Sequence, residues 1–187
     1  MVLHFAGHQR LRGGSVAGTA AALGGKLHRL PTVSRVDLLV FVLEQRRYAL
    51  TLGSVVRVLR RPAVVPLPRA PGIVLGVLDL AGEWVPVLDV RQRFGLPPQR
   101  PRAADHLVLA RARERLVGLP VDQVEGMETL PAEQVADPGQ WVPGLESVRG
   151  LTRTTNGDTV IIHDLDAFLS LHEEAQLGAA LAREDHS

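Results

Sequence analysis

Short apolar runs separated by polar turns follow one another along most of this chain, a pattern typical of β-strands. From residue 36 onward, three pairs of such runs predict hairpins: LLVFVL (38–43) with YALTL (48–52), HLVLA (106–110) with RLVGLPV (115–121), and SVRGLT (147–152) with DTVIIHDL (158–165). In the last pair, Asn156–Gly157 predicts a type I′ turn. The chain is therefore predicted to be mainly β.

The stretch after the first hairpin has a different spacing of apolar residues. Val55, Val58 and Leu59 share one face at helical spacing, and Ser54 precedes them, so a short capped helix is predicted over 55–61. The prolines that follow predict an extended segment that crosses the molecule.

The remaining segments complete the predicted order of elements. A further hairpin is expected at 73–80 and 84–90, and residues 97–105 resemble a proline-rich linker. Residues 122–141 predict a loop with at most one helical turn. The final helix is expected to begin at Asp166, with four side chains turned inward: Phe168, Leu169, Leu171 and Ala175.

One internal repeat is visible. GEWVPVLDVRQRFGL (82–96) aligns with GDTVIIHDLDAFLSL (157–171), so that Asp89 matches Asp164. Each acid follows a predicted strand and precedes a predicted helix, where a carboxylate can accept hydrogen bonds from free backbone N–H groups. We therefore interpret both as structural caps, and the repeat as two related β units of about five strands each.

Composition excludes several classes of protein. The chain has no cysteine, which rules out disulfides, cysteine-bound zinc and thiol catalysis. Residues 1–35 carry five basic residues and no acid, whereas the rest carries 16 basic and 20 acidic residues, a net charge of −4. That balance argues against a nucleic-acid-binding surface. The basic segment suits a disordered tail, a basic arm that touches a partner or membrane, or, least well, a targeting peptide.

The search for chemistry finds no catalytic site. The chain has no serine nucleophile elbow, no phosphate-binding Gly-Lys-Ser/Thr loop and no His-Glu-x-x-His motif, and its histidines lack metal-binding spacing. No catalytic residue, metal or cofactor is predicted. Several aliphatic residues instead fall at strand ends and corners, where they suit either core packing or a shallow docking groove between the two units.

The residues resemble a known family, the CheW-like chemotaxis coupling domain. GVLDLAGEWVPVLDVRQRFG is similar to the family signature, and the likeness continues through residues 36–172. The resemblance implies two intertwined five-stranded SH3-like barrels around a shared core, with short helices and a C-terminal helix. It also implies a non-enzymatic adaptor that joins the cytoplasmic tip of methyl-accepting chemoreceptors to the regulatory domain of a CheA-type histidine kinase.

The resemblance further implies a receptor-binding groove between the barrels. Carried over by position, its residues are Val55, Val56, Arg57, Asp79, Leu80, Ala81, Val121, Val124 and Met127. The family usually has Glu where this chain has Arg57, Asn where it has Asp79 and Arg where it has Ala81. We hypothesise that Arg57 pairs with Asp79 in place of the usual acid and base; simple divergence of a weakly constrained surface is the alternative.

The expected function is therefore a cytoplasmic chemotaxis adaptor associated with receptor arrays through its partners, without nucleic-acid binding or direct membrane insertion. Residues 1–35 are expected to be a tail, 36–172 the CheW-like domain, and 173–187 the end of the helix and a tail. The altered groove leaves open a divergent scaffold of an accessory pathway with reduced receptor binding. Small β-barrel nucleic-acid-binding modules and small hydrolases are the alternatives from other classes.

Overall fold

The computed structural model describes residues 3–4, 34–137, 147–154 and 156–184, so most of the predicted N-terminal tail lies outside the described residues. Eleven strands are described: β1 Leu3–His4, β2 Arg35–Leu43, β3 Arg46–Thr51, β4 Val55–Arg60, β5 Val74–Leu80, β6 Glu83–Leu88, β7 His106–Ala112, β8 Arg115–Val121, β9 Gln123–Pro131, β10 Val148–Arg153 and β11 Thr159–His163. Two α-helices, α1 Val90–Arg93 and α2 Leu171–Glu184, accompany short 3₁₀ turns at Leu52–Ser54, Ala132–Gln134 and Leu165–Ala167.

The strands form two sheets that exchange hairpins. One sheet has the order β1-β4-β7-β8-β6-β5 and the other β10-β11-β3-β2-β9. The hairpin β2–β3, from the first half of the chain, thus joins strands of the second half, and the hairpin β7–β8 joins strands of the first. We call β4–β8 barrel 1 and the set β2, β3, β9, β10 and β11 barrel 2. This arrangement confirms the predicted mainly-β fold of two intertwined barrels.

Each barrel is closed by a segment that crosses back onto its last hairpin. In barrel 1, Val65 exchanges two backbone hydrogen bonds of 2.8 Å with Val77 of β5. In barrel 2, Ala136 exchanges hydrogen bonds of 2.8 and 2.9 Å with Leu151 of β10. The proline-rich segment predicted to cross the molecule therefore makes a strand-like contact at Val65.

Glycine makes both crossings possible. A Cβ on Gly76 would lie 2.2 Å from the Val65 carbonyl oxygen, and a Cβ on Gly150 would lie 2.4 Å from a methyl carbon of Val135. Both distances are far below van der Waals contact, so a side chain at either position would displace the crossing segment. Both halves of the repeat therefore use a glycine to allow the close approach that closes the barrel.

Buried side chains in the described residues form three clusters. Leu38 and Val40 of β2 point into barrel 2, whereas Leu39, Phe41 and Leu43 point into a larger core shared between the barrels. A third cluster fills barrel 1. Strand β2 is therefore buried on both faces, which explains why its sequence is a continuous apolar run rather than an alternation.

Two predicted elements were wrong. The predicted helix at 55–61 is strand β4, which pairs with β7, and Ser54 closes a 3₁₀ turn by donating from Oγ to the Thr51 carbonyl at 2.8 Å. The predicted loop after residue 122 begins with the nine-residue strand β9, paired with β2. Both strands owe their conformation to a long-range partner that local spacing does not reveal.

The turn prediction at Asn156–Gly157 was also wrong in detail. The hairpin β10–β11 forms, but Thr154 N bonds Asp158 O at 2.9 Å, so the paired ends enclose three residues rather than two. Two-residue turns with positive φ at both positions lie instead at Glu44–Gln45, with φ of 49° and 64°, and at Ala81–Gly82, with φ of 55° and 90°.

The final helix begins later than expected. Ser170 Oγ accepts from Glu173 N at 3.2 Å while Glu173 Oε2 accepts from Ser170 N at 2.8 Å, which is a capping box. Phe168 is buried as predicted, but Leu171 is 77% exposed and Ala175 is exposed. The helix is anchored by packing of Leu177, Ala180 and Leu181, and by ion pairs of Glu173 with Arg93 at 2.9 Å and of Glu174 with Arg113 at 2.8 Å.

Candidate partner-binding groove

Asp89 and Asp164 occupy equivalent corners where a strand turns into a helix. Asp89 Oδ1 accepts from Gln92 N at 3.0 Å, and Asp164 Oδ1 accepts from Asp166 N at 3.0 Å. Their own N–H groups bond the carbonyls of Ile73 and Ser147 at 2.7 and 2.8 Å. Both carboxylates are engaged in holding the corners.

Strands β4 and β9 are equivalent members of the two barrels, and each carries a bulge. The pairing of β4 with β7 shifts between Val55 and Arg57, and that of β9 with β2 shifts between Val124 and Gly126. The bulged residues are Val56 and Glu125. A bulge turns its strand outward at the rim of a sheet, which is where a partner can reach it.

The two bulges differ in chemistry. Val56 is 37% exposed, so an aliphatic side chain faces solvent at the first bulge. At the second, Glu125 Oε2 accepts from Arg47 Nε at 2.8 Å, and a second Arg47 nitrogen lies 3.0 Å from Asp158. The hydrogen bond with Glu125 raises the pKa of Arg47. One rim is therefore apolar and the other is a charged network.

The structure divides the nine predicted groove residues by exposure. Val55 and Val121 are 8% and 2% exposed and belong to the shared core, so they support the groove without offering it a surface. Leu80 packs against the barrel 1 cluster, and Val124 against the shared core. Met127 is 55% exposed, which makes it the largest aliphatic surface of the set.

The hypothesised ion pair between Arg57 and Asp79 does not form. Both residues are described, and no nitrogen–oxygen distance within 4 Å joins them. Arg57 lies on β4 and Asp79 on β5, and three strands separate β4 from β5 in the sheet. Asp79 Oδ1 instead accepts from Gly82 N at 2.6 Å and closes its own hairpin turn.

Ala81 stands at the tip of that turn. Its φ of 55° is a left-handed conformation, which an alanine adopts at a cost of about 1 kcal/mol. The exposed methyl group presents little surface where the family resemblance implies an arginine. Asp79 and Ala81 thus shape the hairpin end but supply no long side chain to a partner.

Trp84, an exposed aromatic residue beside this turn, was not predicted as a groove residue. Trp84 is 43% exposed and lies opposite Asp79 in the pairing of β5 with β6. Its neighbours Val85 and Val87 fill barrel 1, so strand alternation places Trp84 outside. The alternation along the strand could have predicted an outward-facing tryptophan, and exposed tryptophans are common at protein interfaces.

A polar cluster around one buried arginine, at the junction of the two barrels, was also not predicted. Arg91 of α1 is 8% exposed, and its Nη2 lies 2.6 and 2.7 Å from the two carboxylate oxygens of Asp122. Asp122 Oδ2 also accepts from Glu44 N at 2.9 Å, and the Glu44 carboxylate lies 3.6 Å from Arg91. Because Asp122 connects β8 to β9, this cluster fixes one barrel against the other.

A buried histidine lies in an aromatic stack inside the shared core. The His163 ring lies 3.8 Å from the Phe94 ring between centroids, and Tyr48 and Phe168 pack around it. Its Nδ1 donates to the Ser147 carbonyl at 2.9 Å. Burial lowers the pKa of His163 to about 4, so the ring is neutral at physiological pH.

Two other kinds of feature are absent from the described part of the chain. Across residues 34–137, 147–154 and 156–184, no three histidine or acidic side chains gather in a way that could hold a metal ion. None of the helices within the described part of the chain is both long and apolar enough to cross a bilayer.

A family model described as the CheW-like domain matches residues 37–173. The chain belongs to the CheW-like domain family. Among CheW-like proteins, it is 29% identical over 97 residues to the probable chemotaxis protein CheW of Rhizobium etli, covering 52% of this chain and 63% of that protein. It is 24% identical over 149 residues to the chemotaxis protein CheW of Treponema pallidum, covering 75% and 88%.

A solved structure of another CheW-like protein has a similar fold. The crystal structure of the scaffolding protein TtCheW from Thermoanaerobacter tengcongensis matches with a TM-score of 0.64 at 22% identity, covering 73% of this chain and 98% of that one. The alignments with the Rhizobium etli and Rhizobium meliloti proteins span 63% and 61% of those relatives' lengths. The likeness to TtCheW confirms the double-barrel architecture.

Proposed function

We propose that this chain is a non-enzymatic chemotaxis adaptor, which joins the cytoplasmic tip of a chemoreceptor to the regulatory domain of a CheA-type kinase. Membership of the CheW-like family over residues 37–173 is the observation that carries the proposal. The adaptor acts in the cytoplasm and reaches receptor arrays through these partners.

The receptor tip, an α-helical hairpin, is proposed to bind through the exposed aliphatic residues of the groove. Met127 and Val56 supply that surface, because Val55 and Val121 are buried beneath it. Full burial of an exposed aliphatic side chain is worth about 1.5–3 kcal/mol, so burying the exposed 55% of Met127 or 37% of Val56 is worth about 1 kcal/mol each, which is measurable.

The test is a titration of the chain with a receptor tip hairpin and, separately, with a CheA-type regulatory domain. We expect Met127→Glu and Val56→Glu each to weaken receptor binding at least about tenfold, which corresponds to about 1.4 kcal/mol. Val65→Glu is the matched control, because Val65 is 57% exposed and lies outside the proposed groove. Failure of the parent chain to bind either partner overturns the adaptor function.

The altered hairpin turn favours a narrower version of this function, an accessory adaptor with reduced receptor affinity. Ala81 presents a methyl group where the family resemblance implies an arginine, and Asp79 is engaged within its own turn. We therefore expect Ala81→Arg to tighten binding to the receptor tip while affinity for the kinase domain stays constant. Equal receptor affinity in the two chains contradicts this narrower version and leaves the adaptor function standing.

A further inference from the structure

The outer edge of β4 carries a feature that the adaptor function does not explain. A strand at the edge of a sheet presents unpaired N–H and C=O groups, which readily accept another strand. On β4 this edge is filled by β1, where Leu3 pairs with Val58 and His4 pairs with Arg57 in antiparallel register. The equivalent strand β9 ends its sheet with no such neighbour among the described residues.

The docked strand overlaps the proposed groove along the main chain. Arg57, the partner of His4, is itself a predicted groove residue, and the outward bulge at Val56 directly precedes it. A receptor helix that approaches Val56 therefore meets the same stretch of β4 that carries β1.

The attachment of β1 suits a reversible contact. Among the described residues two pairs join β1 to β4, and main-chain pairing of this kind requires no particular side chain. The segment before β2 holds four basic residues and no acid, and β4 contributes Arg57 and Arg60, so charge attraction does not strengthen the contact. A short strand held in this way can be displaced by a partner with a larger interface.

The occupant belongs to the same molecule. Residues 5–33 separate β1 from the rest of the domain, and 29 residues can span up to about 100 Å. Because β1 and β4 belong to one chain, their association needs no second molecule and does not depend on protein concentration.

We propose that the N-terminal segment is an intramolecular competitor that docks on the β4 edge through Leu3–His4 and lowers the affinity of a receptor for the adjoining groove. The competition rests on the proposed adaptor function, whereas the docking does not. A strand that is docked for about four-fifths of the time raises the apparent receptor Kd about fivefold.

The test compares the full chain with a chain lacking residues 1–8 and with the double variant Leu3→Pro/His4→Pro, whose prolines cannot donate to the pairing. Val16→Pro is the matched control within the same segment. Hydrogen exchange across Val55–Arg60 is expected to be faster in the truncated and double-proline chains only. Receptor affinity is expected to rise about fivefold in those two chains, while affinity for the kinase domain is unchanged.

Each contrary result has a separate meaning. Equal exchange in β4 for all four chains overturns the docking. Faster exchange with equal receptor affinity overturns the competition and leaves the adaptor function intact, whereas absence of receptor binding by every chain overturns the adaptor function and the competition together. Protection of β4 that increases with protein concentration overturns the intramolecular assignment in favour of a second copy.

Discussion

The buried histidine predicts a specific loss of stability in acid. In the folded chain the pKa of His163 is about 4, because burial disfavours the charged ring, whereas the unfolded chain has the ordinary value of 6.5. Between these two values the unfolded chain binds a proton that the folded chain does not, so acidification favours unfolding. The stabilisation is complete above pH 6.5 and is lost as the pH falls towards 4.

The size of this effect follows from the two pKa values. Each pKa unit corresponds to about 1.4 kcal/mol, so the whole transition is worth about 3 kcal/mol. At pH 4.5 the unfolded chain is protonated at this ring and most folded chains are not, so about 2–3 kcal/mol of stability has been lost relative to pH 7.5. Such a loss is a large share of the stability of a typical domain.

The assay is urea unfolding of the parent, His163→Phe and His172→Phe chains at pH 7.5 and 4.5. Phenylalanine keeps the stack with Phe94, and the Ser147 carbonyl still accepts from Asp164 N at 2.8 Å. Because carboxylates also titrate in this range, the quantity compared is the difference between chains. His163→Phe is expected to lose about 2–3 kcal/mol less than the parent on acidification.

The exposed His172 supplies the control for a generic histidine effect. His172→Phe is expected to follow the parent at both pH values. If the parent and His163→Phe lose equal free energy of unfolding between pH 7.5 and 4.5, burial of a neutral ring at this position is refuted. Titration of the His163 ring carbons by NMR gives the folded-state pKa directly.

Three substitutions test the backbone and the barrel junction by urea unfolding. Gly76→Ala is expected to lower the free energy of unfolding by more than about 2 kcal/mol, because the new Cβ meets the Val65 carbonyl. Gly72→Ala is the control: it has open space around it and is expected to change that free energy by less than about 0.5 kcal/mol. Equal losses in the two variants contradict the close approach at Gly76. Ala81→Gly is expected to stabilise the fold by about 0.5–1 kcal/mol by relieving the left-handed alanine, and a loss of stability counts against that turn. Arg91→Met is expected to cost about 2–3 kcal/mol because the Asp122 carboxylate loses its cation. If Arg91→Met lowers the free energy of unfolding by less than about 0.5 kcal/mol, the Arg91–Asp122 contact does not stabilise the junction of the barrels.

The sequence predicted the hairpins well because their signals are local. Short apolar runs separated by polar turns place β2, β3, β7 and β8 within a few residues of their observed bounds. The repeated Gly, strand, Asp and helix pattern likewise predicted that the two halves are built alike, down to the capping role observed at Asp89 and Asp164. Each of these features is decided by neighbours close in the chain.

The misread elements depend on distant partners. Val55, Val58 and Leu59 satisfy a helical spacing as well as a strand, and pairing with β7 decides between them. Strand β9 has mostly exposed or half-buried residues, so it lacks the apolar run that would have predicted a strand. The Ser170–Glu173 capping box was readable as Ser-x-x-Glu, and it was missed because the preceding Asp166 is itself a good capping residue.

The candidate groove was predictable in outline and not in its exposed surface. Periodicity cannot distinguish Val121, buried in the shared core, from Met127, exposed on β9, because the shared core exists only once two barrels meet. The Arg57–Asp79 hypothesis failed for a related reason. Strands β4 and β5 follow each other in sequence, yet the exchanged hairpin β7–β8 and strand β6 lie between them.

That exchange of hairpins makes this single chain equivalent to a covalently fused, domain-swapped dimer. The segment 97–105, which connects the two halves, then acts as the peptide tether between two subunits. Neither half contains all the strands of one barrel. Residues 34–98 and residues 99–184, expressed separately, should therefore stay unfolded. Mixed together, the two fragments should assemble into the native double barrel without a covalent link, with a midpoint of unfolding that depends on their concentration.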